Sequence, residues 1–327
     1  MKGLRPFIRE PRADMYSKGW RYHRDSTILW ILSLSMLAAC AYALQRPPFW
    51  IAVLLLWMIR APFRYAFSFA HPFRQINQMR ETRLEFREVE LVSRDGLTLF
   101  GRFASGRNHG AIILIHGLGG IGADMIFHAE FLASVGYGVF LIDLRAHGSS
   151  DGDTSTFGLR ESDDVVCAVD YLLKRVDVDG SKIGVLGISL GAQAALRGAL
   201  KTKNIRALVL EGLGPVTLND HGGRPNSFTR WINYPFNWMN YLAYQFMIGG
   251  KDCGVLEVIG EIAPRPILFI ASGAKDIYFD RLFYQHAKEP KELWELPNGE
   301  HGAAFLHNSQ EYMKRVIEFF DKSLDMK

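Results

Sequence analysis

Five short runs of unbroken apolar residues constrain this chain more than any other feature: 111–115 (AIILI), 139–142 (VFLI), 183–186 (IGVL), 207–210 (ALVL) and 267–271 (ILFIA). A strand with one wet face alternates apolar and polar side chains, so unalternated runs of this length require cover on both faces. Stretches of helical character separate them, at 124–135, 158–176, 190–202, 279–288 and 309–324, and one more strand is expected at 293–296. This alternation predicts the α/β class, with a mostly parallel, doubly wound sheet. Upstream, LEFREVELVS and LTLFGRF alternate around Asp95-Gly96, which reads as a hairpin.

Residues 213–262 break the rhythm. They hold no strand-like run but carry Phe228, Trp231, Tyr234, Phe236, Trp238, Tyr241, Tyr244 and Phe246. Fifty residues are too many for a plain connection, so a helical lid inserted in the sheet domain is expected. Part of its aromatics are expected to make the insert's own core and the rest to line a pocket.

Charge divides the chain near residue 81. Residues 1–81 carry 12 Lys/Arg against 4 Asp/Glu, whereas 82–327 carry 26 against 30. The leader is therefore +8 and the body −4, hidden inside a total of +4. A nucleic-acid-binding body would itself carry the basic surface, so that class is excluded. Within the leader, 26–45 is a twenty-residue run without a formal charge, and 49–59 (FWIAVLLLWMI) is a second apolar run after Pro47-Pro48. Twenty helical residues reach about 30 Å, the thickness of a bilayer core; eleven reach about 17 Å. Arg60, Pro62 and Arg64 are expected to end the second run, and Trp20, Trp30, Tyr42, Trp50 and Trp57 stand where interfacial aromatics sit.

The expected organisation is thus a basic tail and membrane anchor over 1–81 and a catalytic domain over 82–327. A single span, a hairpin with both flanks cytoplasmic, and a signal cleaved before Cys40 in a lipobox-like Leu37-Ala38-Ala39-Cys40 all fit. The basic flanks favour a bacterial inner-membrane protein with its body on the cytoplasmic face. Three cysteines exclude a disulfide scaffold.

Chemistry concentrates in three places. Gly187-Ile188-Ser189-Leu190-Gly191 stands between the run IGVL and a helical stretch, where a tight strand-to-helix turn exposes a serine. The following helix directs its positive end at developing oxyanion charge. His116-Gly117-Leu118-Gly119-Gly120 follows the first buried run, so the Leu118 and Leu190 amides are candidate oxyanion donors, with His116 bracing the loop. A loop after ILFIA offers Asp276 as orienting acid, with Asp280 and Glu211 as rivals. His301, in Gly299-Glu300-His301-Gly302, is the candidate general base, against His286 and His307 on helical stretches.

This run of motifs resembles the α/β-hydrolase superfamily across residues 84–325, and within it the bacterial esterase, dienelactone-hydrolase-like and serine-aminopeptidase-like groups. Asp143-Leu144-Arg145-Ala146-His147-Gly148-Ser149-Ser150 is similar to their D-x-R-G-x-G-x-S loop, with Ala146 and His147 in place of the usual residues. Phe157-Gly158 with Glu161 and Asp164 opening a helix matches the same groups. The anchor-plus-hydrolase layout is similar to membrane-tethered members.

The resemblance implies hydrolysis of an acyl substrate, small or lipid-like, through an acyl-enzyme on Ser189. A carboxylic ester is the first expectation; an amide, peptide or thioester on the same residues is the alternative. A silent binding module would lack one of the three residues. No H-E-x-x-H, paired Cys/His spacing or G-x-x-x-x-G-K-[ST] occurs, and neither a metal nor a nucleotide cofactor is expected.

Overall fold

The structure is a computed structural model that describes residues 31–39, 47–75, 79–221, 228–249 and 253–326. The chain divides into two compact units, Met1–Tyr65 and Ala66–Lys327. Of the apolar run 26–45, residues 31–39 are described and helical, while Cys40 lies outside the described residues. The second run begins α1, Pro47–Ala70. Proline suits a first helical turn because its missing N–H has no intrahelical acceptor there. Contrary to the sequence expectation, Arg60, Pro62 and Arg64 do not end this helix: it continues to Ala70, with both arginines exposed. Solvated arginines are good helix formers, and one internal proline removes a single backbone bond. Ile51, Leu54, Leu56, Trp57 and Phe63 of α1 are exposed. Among the described residues, no helix is long and apolar enough to cross a membrane.

The second unit is built on one eight-stranded sheet. Its strands are β1 (Arg87–Val92), β2 (Thr98–Ala104), β3 (Ala111–Ile115), β4 (Gly138–Ile142), β5 (Ile183–Ile188), β6 (Ile205–Glu211), β7 (Ile267–Ser272) and β8 (Lys291–Leu296). The order is β1-β2-β4-β3-β5-β6-β7-β8, antiparallel at β1/β2 and β2/β4 and parallel from β4 to β8. All five β3 residues are buried because the pleat sends them both ways: Ala111, Ile113 and Ile115 join one core, Ile112 and Leu114 the other. Each fully buried isoleucine or leucine contributes about 1.5–3 kcal/mol relative to an exposed one.

Helices α3 (Glu161–Leu173), α4 (Leu190–Lys201) and α7 (Ala274–His286) cover the first face through Val165, Leu172, Leu196 and Phe283. Helices α2 (Ile126–Ser134) and α9 (Ser309–Ser323) cover the second through Leu132, Tyr312, Val316 and Phe320. Between β6 and β7 the chain makes the inserted helices α5 (Phe228–Ile248) and α6 (Val255–Val258); a one-turn α8 (Ala304–His307) follows β8.

The chain runs from β3 outward to β4, then returns to β5 on the other side of β3. That reversal is the switch point where the carboxyl ends of neighbouring parallel strands open a crevice. Ile115 pairs with Gly187 across it, so the loops after β3 and β5 leave the sheet side by side.

The loop after β4 is tied down from several directions. Asp143 accepts from the amides of Gly122 at 2.7 Å and Ser149 at 2.9 Å. Ala146 takes φ 62°, a left-handed value that the glycine usual in the resembling groups would adopt without the Cβ penalty of about 1–2 kcal/mol. Arg145, nearly fully buried, binds Asp164 at 2.7 Å and the half-exposed Asp95 at 2.7 Å. Arg74, beyond α1, donates to the carbonyls of Gly148, Ser150 and Gly152.

Candidate active site

Ser189 stands between β5 and α4 with φ 55° and ψ −110°, a strained conformation for a residue with a side chain. Its neighbours explain how the turn closes. A Cβ on Gly187 would meet the Gly191 carbonyl oxygen at 2.3 Å, and a Cβ on Gly191 would meet the Ile115 carbonyl oxygen at 2.3 Å. Only glycine fits at either position. The Ser189 amide donates to the Glu211 carbonyl at 2.8 Å, locking the turn to the adjacent strand.

Three elements converge on the hydroxyl. His301, between β8 and α8, places Nε2 2.9 Å from Ser189 Oγ. Its Nδ1 lies 2.8 and 2.9 Å from the two carboxylate oxygens of Asp276. Nδ1 therefore donates to Asp276, which leaves Nε2 as the acceptor facing the serine. The His301 side chain is 52% exposed and that of Asp276 5%, so the acid is shielded while the histidine stays reachable. Asp276 is not on a loop, as the sequence suggests. Helix α7 begins at Ala274, immediately after Gly273 turns the chain, and Asp276 lies in its first turn, where the helix dipole favours an anion.

The loop after β3 lies against this group: a Cβ on Gly117 would sit 3.6 Å from that of Ser189. Gly120 N–H donates to the Gly117 carbonyl at 3.0 Å, closing a turn that contains Leu118. Leu190 opens α4, so its amide has no intrahelical acceptor. Both Leu118 and Leu190 thus stand in the segments that flank Ser189.

The other candidates occupy different places. His116 is buried, presents Nδ1 to the Gly117 carbonyl at 2.7 Å and accepts the Leu144 amide on Nε2 at 3.1 Å. Burial pushes it down to about 4, so it is a neutral strut. His286 and His307 are exposed on α7 and α8. Glu211 is fully buried and accepts from Ala304 N–H at 3.0 Å and Tyr312 O–H at 2.9 Å. Burial pushes its carboxyl up to about 7. Asp280, one turn beyond Asp276, is fully buried, and neither of its carboxyl oxygens has a hydrogen-bond partner among the described residues. Burial, then Asp276 and Glu211 nearby, push it well above the usual carboxylate range. These two acids sit behind the histidine and aspartate rather than on them.

Sequence reasoning overlooked Gly212. It follows β6 with φ 62°, and a Cβ there would stand 2.9 Å from His301 Cε1 and 3.2 Å from Asp276 Oδ2. A glycine directly after an apolar strand was the available signal. Among the described residues, no group of three or more His, Cys, Asp or Glu could hold a metal ion.

A mostly parallel sheet, with a serine on the strained turn after its fifth strand and an acid and a histidine from the segments that follow its last two strands, is the arrangement of the α/β-hydrolase fold. Comparison with known proteins agrees. The alpha/beta hydrolase family matches residues 112–249. The solved structure of the Pyrococcus furiosus esterase Pf2001 superposes with a TM-score of 0.63 at 25% identity, over 78% of this chain and 98% of that one. The uncharacterised proteins YqkD of Bacillus subtilis and YfhR of Escherichia coli are each 28% identical, over 65% and 72% of this chain and 72% and 81% of theirs. These similarities support the α/β-hydrolase fold for this chain, with esterases among its structural neighbours.

Proposed function

We propose that the protein is a membrane-associated serine hydrolase that cleaves carboxylic esters. The observation that carries this reading is His301, which bridges Ser189 Oγ at 2.9 Å and the Asp276 carboxylate at 2.8 Å. Ser189 Oγ attacks the acyl carbonyl while Nε2 of His301 takes its proton, and Asp276 stabilises the imidazolium through Nδ1–H. The amides of Leu118 and Leu190 stabilise the tetrahedral oxyanion. His301 then returns the proton to the leaving alcohol. In the second half it takes a proton from water, whose oxygen attacks the acyl-enzyme, and gives that proton to Ser189 Oγ as the acid leaves. No cofactor or metal enters any step.

The esterase reading is supported by similarity to the Pyrococcus furiosus esterase. Membrane association is supported by the basic leader and by the exposed apolar residues of α1. The same basic flanks favour the cytoplasmic face. A fluorophosphonate probe tests the chemistry: the wild-type protein should label and Ser189→Ala should not. Equal labelling of the variant removes Ser189 from the role of nucleophile.

A further inference from the structure

The inserted helix α5 half-buries Tyr241 and Tyr244 but leaves Phe236, Trp238 and Phe246 exposed. Trp238, Leu242 and Phe246 follow one another at four-residue spacing and are 47%, 43% and 80% exposed. Residues at this spacing share one face of a helix. Ala243 and Ile248, on other faces, are buried. The stripe is wholly apolar, and Arg230 is the one formally charged residue from 228 to 248.

The support under this helix links it to α1. Tyr244 Oη donates to the Ser155 carbonyl at 3.4 Å, and the Ser155 amide donates to the Ala70 carbonyl at 2.7 Å, at the end of α1. Phe69, on that last turn, packs on Phe157 of the same loop with ring centroids 5.9 Å apart. Phe67 and Phe73, flanking this point, are exposed. One loop therefore seats both the end of an acid-free apolar helix and the inserted helix that carries an apolar stripe.

We propose that the Trp238–Leu242–Phe246 face of α5 seats on an anionic lipid bilayer, so that the enzyme takes acyl esters presented in the membrane rather than dissolved ones. The inference rests on the hydrolase reading above and assigns its substrate class. Aromatic side chains on a helix with a cationic and no anionic group suit the headgroup boundary of an anionic bilayer. A stripe of this kind facing water exposes contiguous apolar area without return.

The test compares the full-length protein with the double variant Trp238→Ser/Phe246→Ser. One substrate is a soluble short-chain p-nitrophenyl ester; the other is a long-chain fluorogenic ester in phosphatidylcholine–phosphatidylglycerol vesicles. Both substituted side chains are exposed, so the fold should persist, which thermal denaturation checks. We expect the variant to lose at least about fivefold on the vesicle ester and to stay within twofold on the soluble one. Unchanged vesicle turnover, or an equal loss on both substrates, overturns the lipid seat. A drop in oligomeric mass on light scattering, with vesicle turnover kept, assigns the stripe to a second copy of the chain and also overturns it. No turnover of either ester by the wild-type protein overturns the hydrolase reading and this inference with it.

Discussion

Gly212→Ala perturbs the site without altering any residue assigned a chemical role. The substitution acts twice. At φ 62° an alanine costs about 1–2 kcal/mol more than glycine. Its Cβ would also stand 2.9 Å from His301 Cε1 and 3.0 Å from Nδ1, where ordinary contact begins at 3.4 Å. The imidazole must retreat by about half an ångström, on the scale at which misplacement of a catalytic group costs up to 100-fold. The expected loss in kcat/KM is therefore roughly 10- to 100-fold, or about 1.4–2.7 kcal/mol of transition-state stabilisation. The assay is hydrolysis of a soluble p-nitrophenyl ester, with thermal denaturation showing that the variant folds. Gly214→Ala is the control, because a Cβ there has nothing within 4 Å. If Gly212→Ala keeps more than half the wild-type kcat/KM, the close fit around His301 does not govern the rate.

Two further predictions concern buried charge. Glu211 is pushed up to about 7 from an ordinary 4.5, so the folded protein holds a proton that the unfolded chain has released between those values. Stability should therefore fall as pH rises through that window and level off above it, by an amount on the order of 3 kcal/mol. Urea unfolding at pH 5 and pH 8.5 should show this fall in the wild-type protein and much less of it in Glu211→Gln; equal falls contradict the assignment. Asp164→Ala leaves the buried Arg145 guanidinium only the half-exposed Asp95 as a charge partner and should destabilise by about 3–5 kcal/mol. Asp95→Ala, at the half-exposed end of the same network, should cost no more than about 1 kcal/mol. Chemical denaturation separates the two, and similar costs would show that burial does not set the penalty.

Much of this arrangement is legible in the residues, for identifiable reasons. Strands β3 to β7 are covered on both faces, so their central positions are apolar, and AIILI or ILFIA reads as a buried strand. The elbow is legible because its backbone admits only glycine at 187 and 191. The order serine, acid, histidine is also readable along the chain. Their convergence is not, because it depends on which strand ends adjoin, and that is set by the β4-β3-β5 reversal. Local reading misplaced two elements. Pro62 suggests a helix end, but α1 tolerates it and continues to Ala70. Asp276 was expected on a loop, but α7 begins two residues before it. Gly212 reads as an ordinary turn residue until His301, 89 positions later, is brought against it. In α5 the spacing of Trp238, Leu242 and Phe246 was visible, but which face of the helix packs on the body depends on tertiary contacts.

The central claim is that Ser189 carries the acyl group between two half-reactions, and trapping that group tests it directly. The protein is mixed with p-nitrophenyl acetate, quenched in acid within the first turnover, and weighed intact by mass spectrometry. The account predicts a mass gain of one acetyl group, localised by digestion to the peptide containing Ser189. The adduct should be absent in Ser189→Ala and should form far more slowly in His301→Gln, whose serine has lost its general base. Rapid hydrolysis by the wild-type protein with no adduct at any quench time, or an adduct on another residue, would contradict it.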